Sequence, residues 1–260
     1  MKKISIITVC YNIERAIERT ILSVINQNYN HYEYIIIDGG SSDKTTDIIK
    51  KYSDRISYWV SEKDNGIYNA MNKGIKKASG DYLIFMNAGD SFHDNKVLSN
   101  IFSSEQNADI ISGIALTGKN EKKWKPIKEK DLCLMFFYTS GLCHQATFIK
   151  KDLFKNCLYD ENLKIVSDSK FFIQNIIFNN CSYKSIDTIV CRYELGGISS
   201  NIDKHHNELN EVFKDILPPR MYNDYNNNKI YNESPYDKWL KQISPFVMNI
   251  ITLLRKIKQI

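Results

Sequence analysis

Short unbroken apolar runs alternate along the chain with stretches in which apolar residues recur every third or fourth position, and most runs close on polar residues. The runs at 4–10, 34–37, 56–60 and 82–86 suit strands covered on both faces. Between them, Ile13, Ala16, Ile17, Ile21, Val24 and Ile25 trace one face of a helix, and residues 45–52 read as a shorter one. Ile67, Ala70, Met71, Gly74, Ile75 and Ala78 trace a third helix, whose small residues let it sit close to a flat surface before Gly80 stops it. Strand and helix units alternating at this length predict an α/β fold, with a mostly parallel central sheet, right-handed crossovers and helices on its flanks. The first four strands then finish at one edge.

The rhythm continues less regularly. Residues 108–116 read as a strand and 117–122 as a polar turn, while 124–138 is aromatic and basic without a clear period and suits packing or part of an acceptor wall. A strand over 142–149 would contain His144 and Gln145. A helix over 169–179 would turn Phe171, Phe172, Ile176 and Ile177 to the core, and a strand over 185–193 would lead to a flexible Gly196, Gly197 and Ser199 segment able to close over a ligand. Pro218 and Pro219 end the domain at about residue 217, and 222–237, rich in Asn and Tyr, reads as a linker. Ser244 and Pro245 then start a C-terminal helix with a broad apolar face and Arg255, Lys256 and Lys258 near its end. Interrupted by Asn249 and Thr252, it is too short to span a bilayer; lying in a lipid headgroup layer suits residues 245–260, as does docking on the parent domain or a second subunit.

With 260 residues and 43% hydrophobic content, the chain can bury one large core and carry a tail. The net charge of +5 is spread out, and no basic stripe interleaved with aromatics argues for nucleic acid, whereas a phosphorylated substrate or anionic lipid surface fits. The opening MKKISIITVCYN turns polar at Tyr11 without a cleavage site and reads as a first strand, not a signal peptide. Six scattered cysteines with no CxxC pair suggest neither a zinc site nor a disulfide framework, and fit reduced thiols in the cytoplasm. Gly113, Gly118 and Lys119 nearly spell a phosphate loop, but Asn120 follows the lysine and 114–116 continue a strand.

The candidate chemistry lies at the strand ends. Asp38, Asp64 and Asp90 each follow a predicted strand, at the edge where loops splay apart and ligands bind in open α/β sheets. A lone aspartate there is ordinarily a turn residue, and Asp43 reads as a helix cap; for Asp38 a Gly-Gly turn and a ligand role are both open. Three carboxylates brought together repel unless a divalent cation, a set of hydroxyl donors or both sit among them. Asp168 precedes the predicted helix 169–179, where a cap or first-turn acid is the plain reading.

Taken in succession, ISIITVCYN (4–12), EYIIIDGGSSDKT (33–45), DNGIYNAMNKGIKKASGDYLIFMNAGD (64–90), CHQATFIKKDLF (143–154) and VSDSKFF (166–172) resemble the family 2 glycosyltransferases of GT-A fold, in particular the branch making bacterial surface polysaccharides of colanic-acid or capsule type. The resemblance covers about the first four fifths of the chain. It implies a nucleotide-sugar half over about 1–107 and an acceptor half over about 108–217. It implies that Asp38 meets the nucleotide base, that Thr8, Tyr11 and Asp64 line the same pocket with Asn69 and Asn72, and that residues 87–90 stand at the DxD motif. There Asn87 lies by the donor, and Asp90 holds Mn²⁺ or Mg²⁺ against the diphosphate. It places His144 and Gln145 near the acceptor or the transferred sugar, and aligns Asp168 with the catalytic base. The implied partners are a nucleotide-diphosphate sugar, UDP-sugars foremost, and a glycan or lipid-linked acceptor at the inner face of the membrane; a homo-oligomer is compatible. Two departures stand out: the family's second acid after strand two is Gly39, and the metal motif reads Asn87, Ala88, Gly89, Asp90, with one carboxylate. The alternative from another class is a non-catalytic nucleotide- or glycan-binding subunit of the same fold. A sugar nucleotidyltransferase would need a Gly-rich basic loop where Tyr11, Asn12 and Ile13 stand.

Overall fold

The computed structural model describes residues 1–118, 120–194, 196 and 202–231. The expected flexible segment falls outside them except for Gly196, as does the C-terminal helix at 245–260. In chain order the elements are β1 (Ile4–Cys10), α1 (Ile17–Ile25), β2 (Tyr32–Asp38), α2 (Thr45–Lys51), β3 (Tyr58–Ser61), α3 (Ile67–Lys77), β4 (Tyr82–Phe85), β5 (Ser91–Phe92), α4 (Val97–Phe102), β6 (Ile110–Thr117), β7 (Lys122–Trp124), α5 (Leu134–Thr139), β8 (Thr147–Lys150), α6 (Ser167–Phe172), β9 (Tyr183–Tyr193), α7 (Ile202–Ile216) and α8 (Pro219–Tyr231). The chain divides into two compact units between Leu209 and Asn210, within α7 and upstream of the Pro218–Pro219 pair.

In the first unit, the described strands form one sheet in the order β3-β2-β1-β4-β8-β6-β9-β5, with β7 added to β6 as a hairpin. β3, β2, β1 and β4 are all parallel, so their carboxyl ends meet at one edge as the α/β pattern predicts. The second half is mixed: β8 runs antiparallel to both β4 and β6, β9 parallel to β6, and β5 antiparallel to β9.

All seven residues of β1 are buried, because the strand is covered on both faces. On one face Ile4 and Ile6 join a core with Ile17, Ile21 and Val24 of α1 and with Ile36 and Ile84. On the other, Ile7 lies against α3 at Gly74, where a Cβ would stand 2.6 Å from Ile7 Cγ2. The small-residue face of that helix is what lets it reach the sheet.

Among the boundaries that differ from the sequence pattern, three bear on the cleft or the tail. α1 starts at Ile17 rather than Ile13: residues 13–17 form a tight turn in which Ala16 N and Ile17 N both donate to Ile13 O, while Ile13 N donates to Thr45 Oγ1 and Glu14 N to Asp43 Oδ2, tying the chain after β1 to the β2–α2 loop. His144 and Gln145 are not in a strand: His144–Ala146 is a tight 3₁₀ turn and β8 begins only at Thr147. The Asn- and Tyr-rich stretch read as a linker is helical through Tyr231, with Pro219 opening α8, where its missing N–H is harmless. Within this second unit Phe213 and Tyr225 stack with ring centroids 6.3 Å apart.

Candidate active site

A cavity of about 850 Å³ opens across the carboxyl ends of β1 and β4, floored by α3 and walled by the 138–145 and 164–169 segments and the end of β9. Tyr11, Asp64, Asn87, Asp90, His144, Gln145 and Asp168 all line it, so residues up to 157 positions apart in the chain share one space. Thr8, Asp38, Asn69 and Asn72 do not. Thr8 is fully buried, donating to Met86 O at 2.7 Å and paired with Tyr34 Oη at 3.0 Å. Asp38, expected at the nucleotide base, is also fully buried: it accepts from Gly40 N, Ser41 N, Ser41 Oγ and Ser61 Oγ, so its carboxylate builds the turn beneath the cleft. Asn69 and Asn72 donate to Glu161, and Asn72 also exchanges hydrogen bonds with the Tyr159 backbone, which pins α3 to the segment before α6.

Asp64 leaves β3 and accepts from Gly66 N at 2.9 Å. Its Oδ2 lies 2.4 Å from where a Cβ on residue 39 would be, so Gly39 makes room for this carboxylate beside β2. Tyr11 stands 64% exposed at the rim.

Asp90 is 4% exposed, and its Oδ1 accepts from Glu194 N at 2.9 Å. Burial pushes its carboxyl up to about 7; hydrogen bonds from Glu194 N and the Gln145 side chain and the charge of Arg19 oppose that rise, and the Glu194 charge adds to it. Arg19 reaches from α1 to Gly89 O and to Glu194 Oε2, bracing the turn after β4 against the end of β9. Gly89 holds φ +106°, a left-handed conformation that glycine adopts readily.

Asp168 is the second residue of α6, and among the described residues its carboxylate takes no hydrogen bond from the helix backbone. Instead its Oδ1 accepts from Tyr68 Oη at 2.9 Å, and its Oδ2 stands 4.0 Å from His144 Nδ1. The His144 ring packs on Phe85 at 4.8 Å and pairs through Nε2 with Tyr159 Oη at 3.1 Å. Burial lowers the His144 pKa, with the Asp168 charge partly offsetting it. The chain entering α6 is clamped by Glu208 of α7, whose carboxylate accepts from Lys164 N, Ile165 N and Val166 N at 2.6–2.9 Å.

A sequence model described as glycosyl transferase family 2 matches residues 5–166. The chain belongs to glycosyl transferase family 2. A Mycobacterium tuberculosis relative, called an uncharacterized glycosyltransferase, is 30% identical over 222 residues, covering 82% of this chain and 81% of the relative. The poly(ribitol-phosphate) beta-N-acetylglucosaminyltransferase TarP of Staphylococcus aureus is 28% identical over 248 residues, 85% of this chain and 74% of TarP. Among solved structures, S. aureus TarS in complex with UDP-GlcNAc superposes with a TM-score of 0.66 at 18% identity, over 86% of this chain and 70% of TarS. The mannosyltransferase PcManGT of Pyrobaculum calidifontis, in complex with GDP-Man and Mn²⁺, gives 0.63 at 14%, over 86% and 68%. These neighbours share the GT-A-like fold, a mixed sheet with flanking helices.

Family 2 membership raises the question of a divalent cation. Among the described residues no group of three or more His, Cys, Asp or Glu could hold one. The site nevertheless fits a cation that keeps most of its positions for diphosphate and water: Asn87 Oδ1 is buried without a hydrogen-bond partner, and Asp90 is a carboxylate that burial alone disfavours. Sequence reasoning missed Tyr68, Tyr159, Arg19, Glu194 and Glu208. Tyr68 shares a helical face with Met71 and Ile75, so its burial was readable though not its target; nothing local marks Glu194 or Glu208.

Proposed function

We propose that this family 2 glycosyltransferase moves a sugar from a nucleotide-diphosphate donor, UDP-sugars foremost, to an acceptor hydroxyl with inversion, in the synthesis of a surface polysaccharide or lipid-linked glycan. The observation that carries the reading is one cleft that both Asp90 and Asp168 line, the first from the turn after β4 and the second from α6. The relatives and neighbours named above support the donor class.

Asn87 and Asp90 would hold Mn²⁺ or Mg²⁺, which when bound supplies charge to offset that growing on the departing diphosphate. Asp168 takes the proton of the acceptor hydroxyl as its oxygen attacks the anomeric carbon, a role worth about 10²- to 10⁴-fold in rate. Attack and departure occur on opposite faces of the sugar, so the anomeric centre inverts with no covalent enzyme intermediate. His144, kept neutral by burial, adds no positive charge that would weaken this base. Asp64 and Tyr11 line the donor side, where hydroxyls of the nucleotide can meet them.

Asp168→Asn is expected to keep donor binding in calorimetry and lose diphosphate release by at least about 100-fold, whereas Asp90→Ala loses the Mn²⁺-dependent part of donor binding. Undiminished transfer by Asp168→Asn removes the base assignment. Donor binding by the unaltered protein, without diphosphate release for any acceptor, favours the non-catalytic binding subunit, a reading that the single acid of the 87–90 turn supports.

A further inference from the structure

The hydroxyl of Tyr68 has two acceptors and one proton. It lies 2.9 Å from Asp168 Oδ1 and 2.7 Å from the carbonyl oxygen of Ile165. Tyr68 is 5% exposed, its ring packed against Tyr159 at 5.5 Å, and its single proton can go to only one of these two oxygens at a time. Burial, and next the Asp168 charge, push the hydroxyl well above its ordinary range, so it donates and does not ionise. The second acceptor is itself fixed: Glu208 holds the amides of Lys164, Ile165 and Val166, so the Ile165 carbonyl cannot rotate away. Occupation of Oδ1 leaves Oδ2 as the oxygen that can receive a proton, on the side of His144.

Resting on the proposed transfer reaction, we infer that Tyr68 is a positioning residue for Asp168, a two-position donor whose hydroxyl bonds Oδ1 while the carboxylate is ionised and turns to the Ile165 carbonyl once Oδ2 has taken the acceptor's proton. An ionised carboxylate is the stronger acceptor of the two, and the neutral acid formed in the reaction loses that advantage. The step balances without another reagent. The acceptor O–H bond breaks and its proton goes to Asp168 Oδ2; the oxygen's electron pair forms the new glycosidic bond; the old bond's pair leaves with the diphosphate; Tyr68 keeps its own proton throughout. The same contact restricts the rotamer of Asp168, so acceptor hydroxyls meet one oxygen in one orientation. The titratable groups around Asp168 are Tyr68 from α3, His144 from the turn before β8, Tyr159 from the segment before α6, and His205 from α7.

The test is Tyr68→Phe, which keeps the ring and removes only the donor, compared with Asp168→Asn by initial-rate kinetics across pH. Expected are a kcat lowered about tenfold by the lost restriction on the Asp168 rotamer, an unchanged KM for the donor, and, because the donor that favoured the ionised carboxylate is gone, an acidic limb of the kcat profile displaced to higher pH. A fluorinated tyrosine at position 68 keeps shape and hydroxyl while donating more strongly, and displaces that limb to lower pH; it serves also if Tyr68→Phe fails to fold. An unchanged kcat and pH profile in Tyr68→Phe, with Asp168→Asn inactive, overturns the role of Tyr68 and leaves the base assignment standing. Full activity in Asp168→Asn fails the underlying reading instead.

Discussion

Asp38 shows how a side chain can serve a binding cleft without entering it. Four hydrogen bonds converge on its carboxylate from the Gly40–Ser41 turn and from Ser61 at the end of β3, in a fully buried position. Asp38→Ala would strand those donors, so we expect a loss of about 2–4 kcal/mol in urea unfolding, larger than for Asp64→Ala at the cleft surface. His144 has a second signature. Its folded pKa is lowered by burial, so below about pH 6.5 the unfolded chain binds the proton the native state refuses; this part of the stability is present above that range and lost as pH falls. Thermal unfolding at pH 5.5 and 7.5 should show a drop for the native sequence that is reduced in His144→Gln. The sequence singled out Asp38 at a strand end, with a turn and a ligand role both open, and singled out His144 only through the family resemblance. Which way each points was not legible there, because Ser61 and Tyr159, the partners that decide it, sit 23 and 15 residues away.

Among the elements, α3 was the most readable, since its apolar spacing and small residues state both its face and its distance from the sheet. Gly74 carries the close approach to Ile7 and Ile37, and Gly74→Ala would force a methyl to within 2.6 Å of Ile7 Cγ2. Overpacking of this kind outweighs alanine's better helix propensity, and we expect a net loss of about 1–3 kcal/mol, with Ile7→Ala, which removes the clashing Cγ2, showing a favourable coupling to Gly74→Ala in a double-mutant cycle. The tight turn before β8 was the least readable. Leu142, Cys143, His144 and Ala146 are buried, and an apolar run of that length looks the same in a strand and in a buried turn. The start of α1 was misjudged for a related reason. Its apolar spacing begins at Ile13, but residues 13–17 close a tight turn on Ile13 O that shares the helix's apolar face without being regular helix.

For the whole first unit, the alternation of strands and helices specified the parallel half, and with it the edge where the cleft opens. It did not specify the mixed half, because antiparallel pairing of β8 between β4 and β6 depends on contacts between residues far apart in sequence. The cleft draws on both halves: Asp90 follows the parallel strands, and Asp168 belongs to the segment after β8. Within the sheet the two halves join at β4–β8 and again at β5–β9. β4 and β8 meet through only two register pairs, Tyr82 with Lys150 and Leu83 with Ile149, whereas β1 and β2 share seven. Chimeras that graft the second half of one family 2 enzyme onto the first half of another therefore need to match these four positions, the β5–β9 pairs, and the bonds from α3 to Glu161 and Asp168. A graft matching them inherits the turn that carries Asp90 from one parent and the segment that carries Asp168 from the other.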